Sequence, residues 1–564
     1  MRPDRSRTVI ALLVVAIVLS GALVTWGYYT HPRRPETPSY PTTTAELTPT
    51  AGATPRTLGA DFLGINLRAT FAMQGAQGSA VAASGVHLVR WPGGDLGDRL
   101  DPLALNGTGL VYGGPGAPLP PATTAAEFVA WCKSVSCSAI VTLPGEIDDP
   151  SFASQEVSYF VQTLAFRPAY WEVGNEPDLW AHFGVAWADW APGQTLGTDP
   201  TQYAQEVASY ISAIRVVDPA TPIIGLPGVG AGGFGEESWV QATVQTNGPN
   251  LSAVAIHVYP IAANLTGGGL AQLFGDLNNS NGIPSRVTAA EATVAATCAS
   301  CRVQVLVEEA GVASGATANT SAGFPWVTFE AAELVQAIES GSGGLAYWAA
   351  QGSYPGAWLS SNGAVQPTYT LVASLLNPLP TTWEPTTLSS TLGGLYAVAL
   401  GGNVSAPSVV VFVNANATWA VRVNLTRLVG YAPSGAAVTW SNSTSAPVAS
   451  APMTGSTDTW FVPPDGLLAW RAVPAVPTIA SHALGAPAPI AGPIALPTGA
   501  AARGGWWGSA GPADGSAGGP AMARPLAAKH SVEVLCAFCV SAPSKTVLLC
   551  ARSSGALSST PGRS

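Results

Sequence analysis

The sequence predicts an α/β chain: a (β/α)8 TIM barrel followed by a C-terminal antiparallel β-sandwich, behind an N-terminal transmembrane or signal segment. From Asp61 onward, short apolar runs alternate eight times with longer amphipathic ones, as repeated βα units around a parallel sheet require. After Pro367 the runs shorten and Gly, Asn, Ser and Pro turns separate them, as in a sandwich. The stretch from Val9 to Tyr29 carries no charge.

That first stretch is about as long as the ~20 residues a bilayer-spanning helix needs. Arg2, Arg5 and Arg7 precede it, which orients the N-terminus to the cytoplasm and exports the remainder. A cleavable signal peptide, with Ser20-Gly21-Ala22 as its small-residue site, is the alternative. Residues 1–31 are therefore a signal anchor or signal peptide. The chain is expected at the cell surface, bound to the membrane through this helix, or secreted if the segment is cleaved. Residues 32–55, dense in Pro and Thr, read as an extended linker.

The barrel is assigned to residues 56–366. Its strands are expected at 61–66, 86–91, 138–143, 169–174, 221–226, 253–258, 303–308 and 344–349. Between the fourth and fifth, TQYAQEVASYISAIRVV places Tyr203, Val207, Tyr210, Ile211 and Ile214 on one helical stripe. Residues 367–475 form the sandwich, with LYAVAL, SVVVFVN, WAVRVNL and DTWFVPP as strands. Residues 476–564 are rich in Ala, Pro and Gly, lose all periodicity, and are expected to be disordered.

A formal charge of -10, with only 10% charged residues, excludes the basic face that nucleic acid requires. Asn-x-Ser/Thr sequons at Asn106, Asn264, Asn319, Asn416 and Asn424 are compatible with export. Cys132 with Cys137 and Cys298 with Cys301 are candidate local disulfides in an oxidising compartment. Cys536, Cys539 and Cys550 have no fourth ligand at zinc spacing, so neither metal nor cofactor is expected.

Two carboxylates carry the chemistry. YWEVGNEPDLW puts Glu176 just past the fourth strand, and VLVEEAG puts Glu308 and Glu309 at the end of the seventh. Both positions face the C-terminal mouth, where barrel active sites form. Side-chain alternation sends Glu308 and Glu309 to opposite faces, so only one of them can serve. Retaining glycoside cleavage needs two such groups about 5 to 5.5 Å apart, one acid/base and one nucleophile. On the bland side, a glutamate before proline is an ordinary loop residue, and proline restricts its predecessor to extended geometry.

With VRWPGG, WEVGNEPDLW and VLVEEAG in place, residues 55–475 resemble glycoside hydrolase clan A. Within that clan they look most like the heparanase and β-glucuronidase family, glycoside hydrolase family 79, with α-L-arabinofuranosidases and β-xylosidases next. The resemblance implies Glu176 as acid/base and Glu309 as nucleophile, with Glu308 the alternative. It further implies Asn175 on the sugar 2-hydroxyl, Tyr259 orienting the nucleophile, Arg90 supporting it and Trp348 as a sugar platform. His257 is either an additional substrate contact or a satisfied polar group at a strand end, and Trp180, like Trp348, is either a stacking surface or a core residue.

The expected function is an extracytoplasmic retaining O-glycosidase acting on an oligo- or polysaccharide, of uronic or neutral sugars. A non-catalytic glycan-binding surface protein on the same scaffold is the alternative, and a structural envelope protein a third. Oligomeric state is not legible.

Overall fold

Eight strands close into a parallel barrel in the computed structural model. It describes residues 40–472 apart from 60, 95–96, 100–122, 147–148, 181–198, 230–234, 260–276, 312–325, 353–355, 374–378, 402–407, 425–434, 441–447 and 450–458. The apolar segment at 9–29 and the tail from 476 lie outside the described residues. Among those described, no helix is long and apolar enough to cross a membrane.

In order, the barrel strands are Leu63–Arg68, Leu88–Gly93, Ser138–Leu143, Tyr170–Val173, Ile223–Pro227, Ala253–Val258, Gln304–Ala310 and Leu345–Tyr347, the last pairing with the first. They are called strands one to eight below, and each starts within 2 residues of the position the sequence predicts. The helix before strand five, Pro200–Val217, has Asp199 as its N-cap and Pro200 in its first turn, the chemistry expected of a helix start. It buries the predicted stripe.

The barrel interior is layered. Near the strand starts lie Leu88, Ile140, Ala255 and Leu306, with Tyr170 packed against them. Two residues further along the same strands come Arg90, Thr142, His257, Glu308 and Glu172, all buried. The period of two keeps both layers facing inward, and the second turns the upper barrel polar.

Strand seven departs from that period. Val307 pairs with Ile256 but Glu309 pairs with His257, and on the other side Val307 pairs with Leu345 but Ala310 with Tyr347. One extra residue, a bulge, therefore sits in this strand relative to both neighbours. Both glutamates consequently reach Arg90, at 3.4 Å for Glu308 and 2.6 Å for Glu309. The expectation that they face opposite sides is corrected, because the bulge cancels the alternation.

The sandwich has a seven-stranded and a four-stranded sheet. Ala45, Leu47, Val410, Phe412, Val421, Val423 and Trp470 fill the space between them. Val409, Val411 and Val413, on the other face of the larger sheet, join the barrel's core, so the strand Val409–Asn414 is buried on both faces.

Two expectations change here. Thr42–Pro49, assigned to a linker, is a strand of the smaller sheet, with Ala45 and Leu47 fully buried. It runs antiparallel to Thr386–Ser389 but parallel to Ala420–Asn424, so the sandwich is mixed rather than antiparallel. Arg56–Thr57 likewise extends the larger sheet. Cys132 and Cys137 form a disulfide, as do Cys298 and Cys301.

Candidate active site

Strand four ends by leaving the barrel abruptly. Gly174 takes φ +80 and Glu176 takes φ 43, ψ 61, a left-handed conformation, before the short turn Pro177–Leu179. Proline normally drives its predecessor to extended backbone, and the sequence suggested that here. Two contacts hold the alternative. The Glu176 N–H donates to the Pro227 carbonyl at 3.2 Å, and the Trp180 indole N–H donates to the Asn175 carbonyl at 2.8 Å. Left-handed backbone at a non-glycine residue costs of order 1–3 kcal/mol and collects at functional sites.

Glu176 projects over the mouth with its side chain 16% exposed, and its Oε1 lies 2.9 Å from His257 Nδ1. His257 is fully buried, and burial lowers its pKa to about 4, so the imidazole is neutral above that pH. Gly228, at φ +74, leaves the space for it: a Cβ there would sit 2.3 Å from the ring.

Glu309 is held from three sides. Arg90 Nη1 donates to its Oε1 at 2.6 Å, the Tyr259 hydroxyl donates to its Oε2 at 2.5 Å, and His257 Nδ1 lies 3.5 Å from Oε2. Burial raises the Glu309 pKa above the ordinary glutamate value, with the neighbouring His257, Arg90 and Tyr259 opposing it. A carboxylate oxygen of Glu176 and one of Glu309 lie within 4.8 Å, close to the spacing of retaining pairs.

Arg90 organises the layer beneath. Its other nitrogens donate to Glu172 Oε2 at 2.7 Å and Asn175 Oδ1 at 2.8 Å, and Nη1 also reaches Asn66 Oδ1 at 3.1 Å. With its oxygen so engaged, the Asn175 amide presents its N–H groups as donors. Trp348 follows strand eight, half-buried, with the Arg68 guanidinium 5.9 Å from its ring centroid. Gly94, at φ +77, makes room for that indole: a Cβ there would sit 2.3 Å from it.

The structure therefore brings Glu176, Glu309, Asn175, Tyr259, Arg90 and His257 together around one point. Trp180 is different. It is buried, donates inward to Asp98 and Asn175, and packs edge-on against Tyr203, so it supports the Glu176 turn from below and offers no open stacking face. His257 touches the two carboxylates rather than open space. Sequence reasoning missed Asn66, Arg68 and Glu172. A charged residue inside an otherwise apolar parallel strand was the available signal for Glu172.

Glu176, His257 and Glu309 also each offer an atom at metal-cluster spacing. Both Glu309 oxygens are already engaged by Arg90 and Tyr259, however, and a buried guanidinium beside them opposes a second cation.

No family model and no curated protein sequence matches the chain. Solved structures do. A glycoside hydrolase family 51 arabinofuranosidase from Xanthomonas axonopodis pv. citri is 14% identical, with a TM-score of 0.55, over 76% of this chain and 99% of that one. AbfB, a family 51 α-L-arabinofuranosidase from Bifidobacterium longum, is 13% identical with a TM-score of 0.59, over 76% and 99%. A family 44 xyloglucanase from Paenibacillus polymyxa is 13% identical with a TM-score of 0.53, over 76% and 100%. At such identities the likeness is one of fold: this chain has the architecture of glycoside hydrolase barrels.

Proposed function

We propose that the protein is a retaining O-glycoside hydrolase with Glu176 as acid/base and Glu309 as nucleophile. The observation that carries this is the pairing of two carboxylates, within 4.8 Å of each other, in unlike surroundings. One is partly exposed beside a neutral imidazole; the other is gripped by a guanidinium and a phenol. Opposite roles for two carboxyls need such unlike surroundings.

In the first step the Glu309 carboxylate attacks the anomeric carbon while Glu176 gives its proton to the leaving oxygen. In the second, Glu176 takes a proton from water, which displaces Glu309 with a second inversion and so net retention. The neutral His257 gives Glu176 a hydrogen-bond partner in either protonation state, because its Nδ1 can accept or donate with the tautomer. Asn175 binds the 2-hydroxyl, and Trp348 supports the apolar face of the sugar.

An extracytoplasmic setting, with the N-terminal segment as anchor or signal, is favoured by that segment's sequence and by the two disulfides. For substrate, Arg90 is consumed by carboxylates, and among the described residues Arg68, beside Trp348, is a second cation near the site. It favours a uronic acid, as the heparanase resemblance implies, over a neutral sugar. The test uses the full chain on aryl glycosides and polysaccharides at acid to neutral pH, with the first-formed anomer followed by NMR. Retention is the expected result and inversion excludes the mechanism, while binding without cleavage by a folded protein favours the glycan-binding alternative.

A further inference from the structure

Glu172, Glu308 and Glu309 surround Arg90 and are all buried, at 0%, 1% and 3% exposure. Were all three ionised, one buried guanidinium would face three buried negative charges, an arrangement proteins avoid by protonating one member. The donors in the layer show which. Glu309 Oε1 and Oε2 accept from Arg90 and Tyr259. Glu172 Oε2 accepts from Arg90 Nε at 2.7 Å and from the Thr142 hydroxyl at 2.6 Å. Among the described residues, neither oxygen of Glu308 and not Oε1 of Glu172 accepts a hydrogen bond, although Glu308 Oε1 lies 3.4 Å from Arg90 Nε.

We propose that Glu308 is a positioning residue: it holds a proton in the resting protein and donates it to Glu172, so that Arg90 is left to hold Glu309 as the carboxylate. This rests on the assignment of Glu309 as nucleophile. One proton between the two carboxyls gives Oε1 of Glu172 a donor and Glu308 a neutral form, whose Oε1 keeps its 3.4 Å approach to Arg90 Nε. The layer then carries a single net negative charge, located on the group that faces the positive charge developing at the anomeric carbon. Burial and the Glu172 charge hold Glu308 well above the ordinary glutamate range, while Arg90, with smaller help from Glu308 and Thr142, outweighs burial and holds Glu172 below it.

A route for this proton exists away from the substrate. A cavity of about 770 Å³ enters the barrel at the strand starts and reaches Glu308. Gly344 and Ala346 contribute little bulk to its lining, and Asp61, Tyr170 and Glu291 are its ionisable wall groups. Among the described residues, Glu172, Arg90 and Glu309 are the charged groups that act on Glu308, and the buried Tyr203 phenol also feels its charge.

The experiment compares the wild type with Glu308→Gln and Glu309→Gln, as full chains, by infrared difference spectroscopy and by the pH profile of kcat/KM. The amide of glutamine reproduces the neutral acid's shape and donor. Glu308→Gln is expected to lose one neutral-carboxylic-acid carbonyl band that Glu309→Gln retains at neutral pH. Its acid limb should stay within about 0.3 pH units of the wild type's whatever happens to kcat, since no charge is removed. The proposal is overturned if that band is unchanged in Glu308→Gln, or if the acid limb falls by about one unit or more, as loss of a charged neighbour demands. It is also overturned if Glu308→Gln does not fold while Glu308→Asp does. If the wild type cleaves no glycoside, the enzymatic reading fails, and the infrared band still decides where the proton lies.

Discussion

Strands four and seven deliver their carboxylates by opposite devices. Strand four stops, turns through left-handed backbone and hangs Glu176 at the rim, beside the neutral His257 and with a partly exposed side chain. Strand seven keeps its pairing and inserts one extra residue, which turns Glu309 inward against Arg90 and Tyr259. A rim carboxyl with a neutral partner can exchange protons with water at each turnover. A carboxylate fixed from both oxygens cannot easily, but its attacking lone pair is aimed. The difference between acid/base and nucleophile is thus written in backbone irregularities, not in residue type.

The sharpest test of that contrast is leaving-group dependence. Glu309→Gln should lower kcat/KM by roughly 10⁴-fold or more on every aryl glycoside, because no substrate supplies a nucleophile. For Glu176→Gln the loss should be about 10²–10⁴-fold with a poor leaving group and should shrink as the leaving-group pKa falls. Equal losses across the series in both variants would erase the distinction.

Next in size is Arg90→Met, which leaves Glu172 and Glu309 without their cation. Breaking a buried ion pair by removing one partner costs about 3–5 kcal/mol, and chemical denaturation should show a loss of that order along with lost activity. Retained stability would mean that the layer re-protonates freely.

The acid limb of the pH profile should lie above the ordinary glutamate value of 4.5, since burial raises Glu309 and only its ionised form attacks. Tyr259→Phe removes a donor that holds this pKa down, so the limb should move further up. Movement downward would show that the phenol does not stabilise the carboxylate.

The smallest effects separate the two tryptophans. Trp348→Ala should raise KM about tenfold with kcat less affected, as loss of ~1.4 kcal/mol of stacking predicts. Trp180→Phe should instead cost about 1 kcal/mol of stability through its two lost hydrogen bonds, with KM nearly unchanged. A KM effect at Trp180 would return it to the substrate.

How much of this was legible follows from what a sequence pattern can record. Eight apolar runs gave the barrel because parallel strands buried on both faces need them, and strand ends then located Glu176 and the Glu308–Glu309 pair. The bulge was not legible, for VLVEE reads as a plain alternating strand until its neighbours' registers are known. Thr42–Pro49 was hidden by composition: Ala45 and Leu47 point inward two residues apart, but four threonines and a proline made the segment resemble a linker. Arg68 was missed because nothing near it in the chain marks it; its partner Trp348 is distant in sequence.

The place of Thr42–Pro49 has a consequence for how the molecule is made. It is the first described strand to be synthesised, yet its neighbours, Thr386–Ser389 and Ala420–Asn424, are separated from it by the whole barrel. During synthesis it must wait, unpaired, while the βα units ahead of its partners form. Closing so long a loop is slow, and a waiting β-edge is an aggregation hazard. Barrel and sandwich are therefore not separable modules. A chain begun at residue 56 loses a strand of the smaller sheet and its buried Ala45 and Leu47, and one ended at residue 366 loses strands of both sheets and uncovers the barrel surface that Val409, Val411 and Val413 protect.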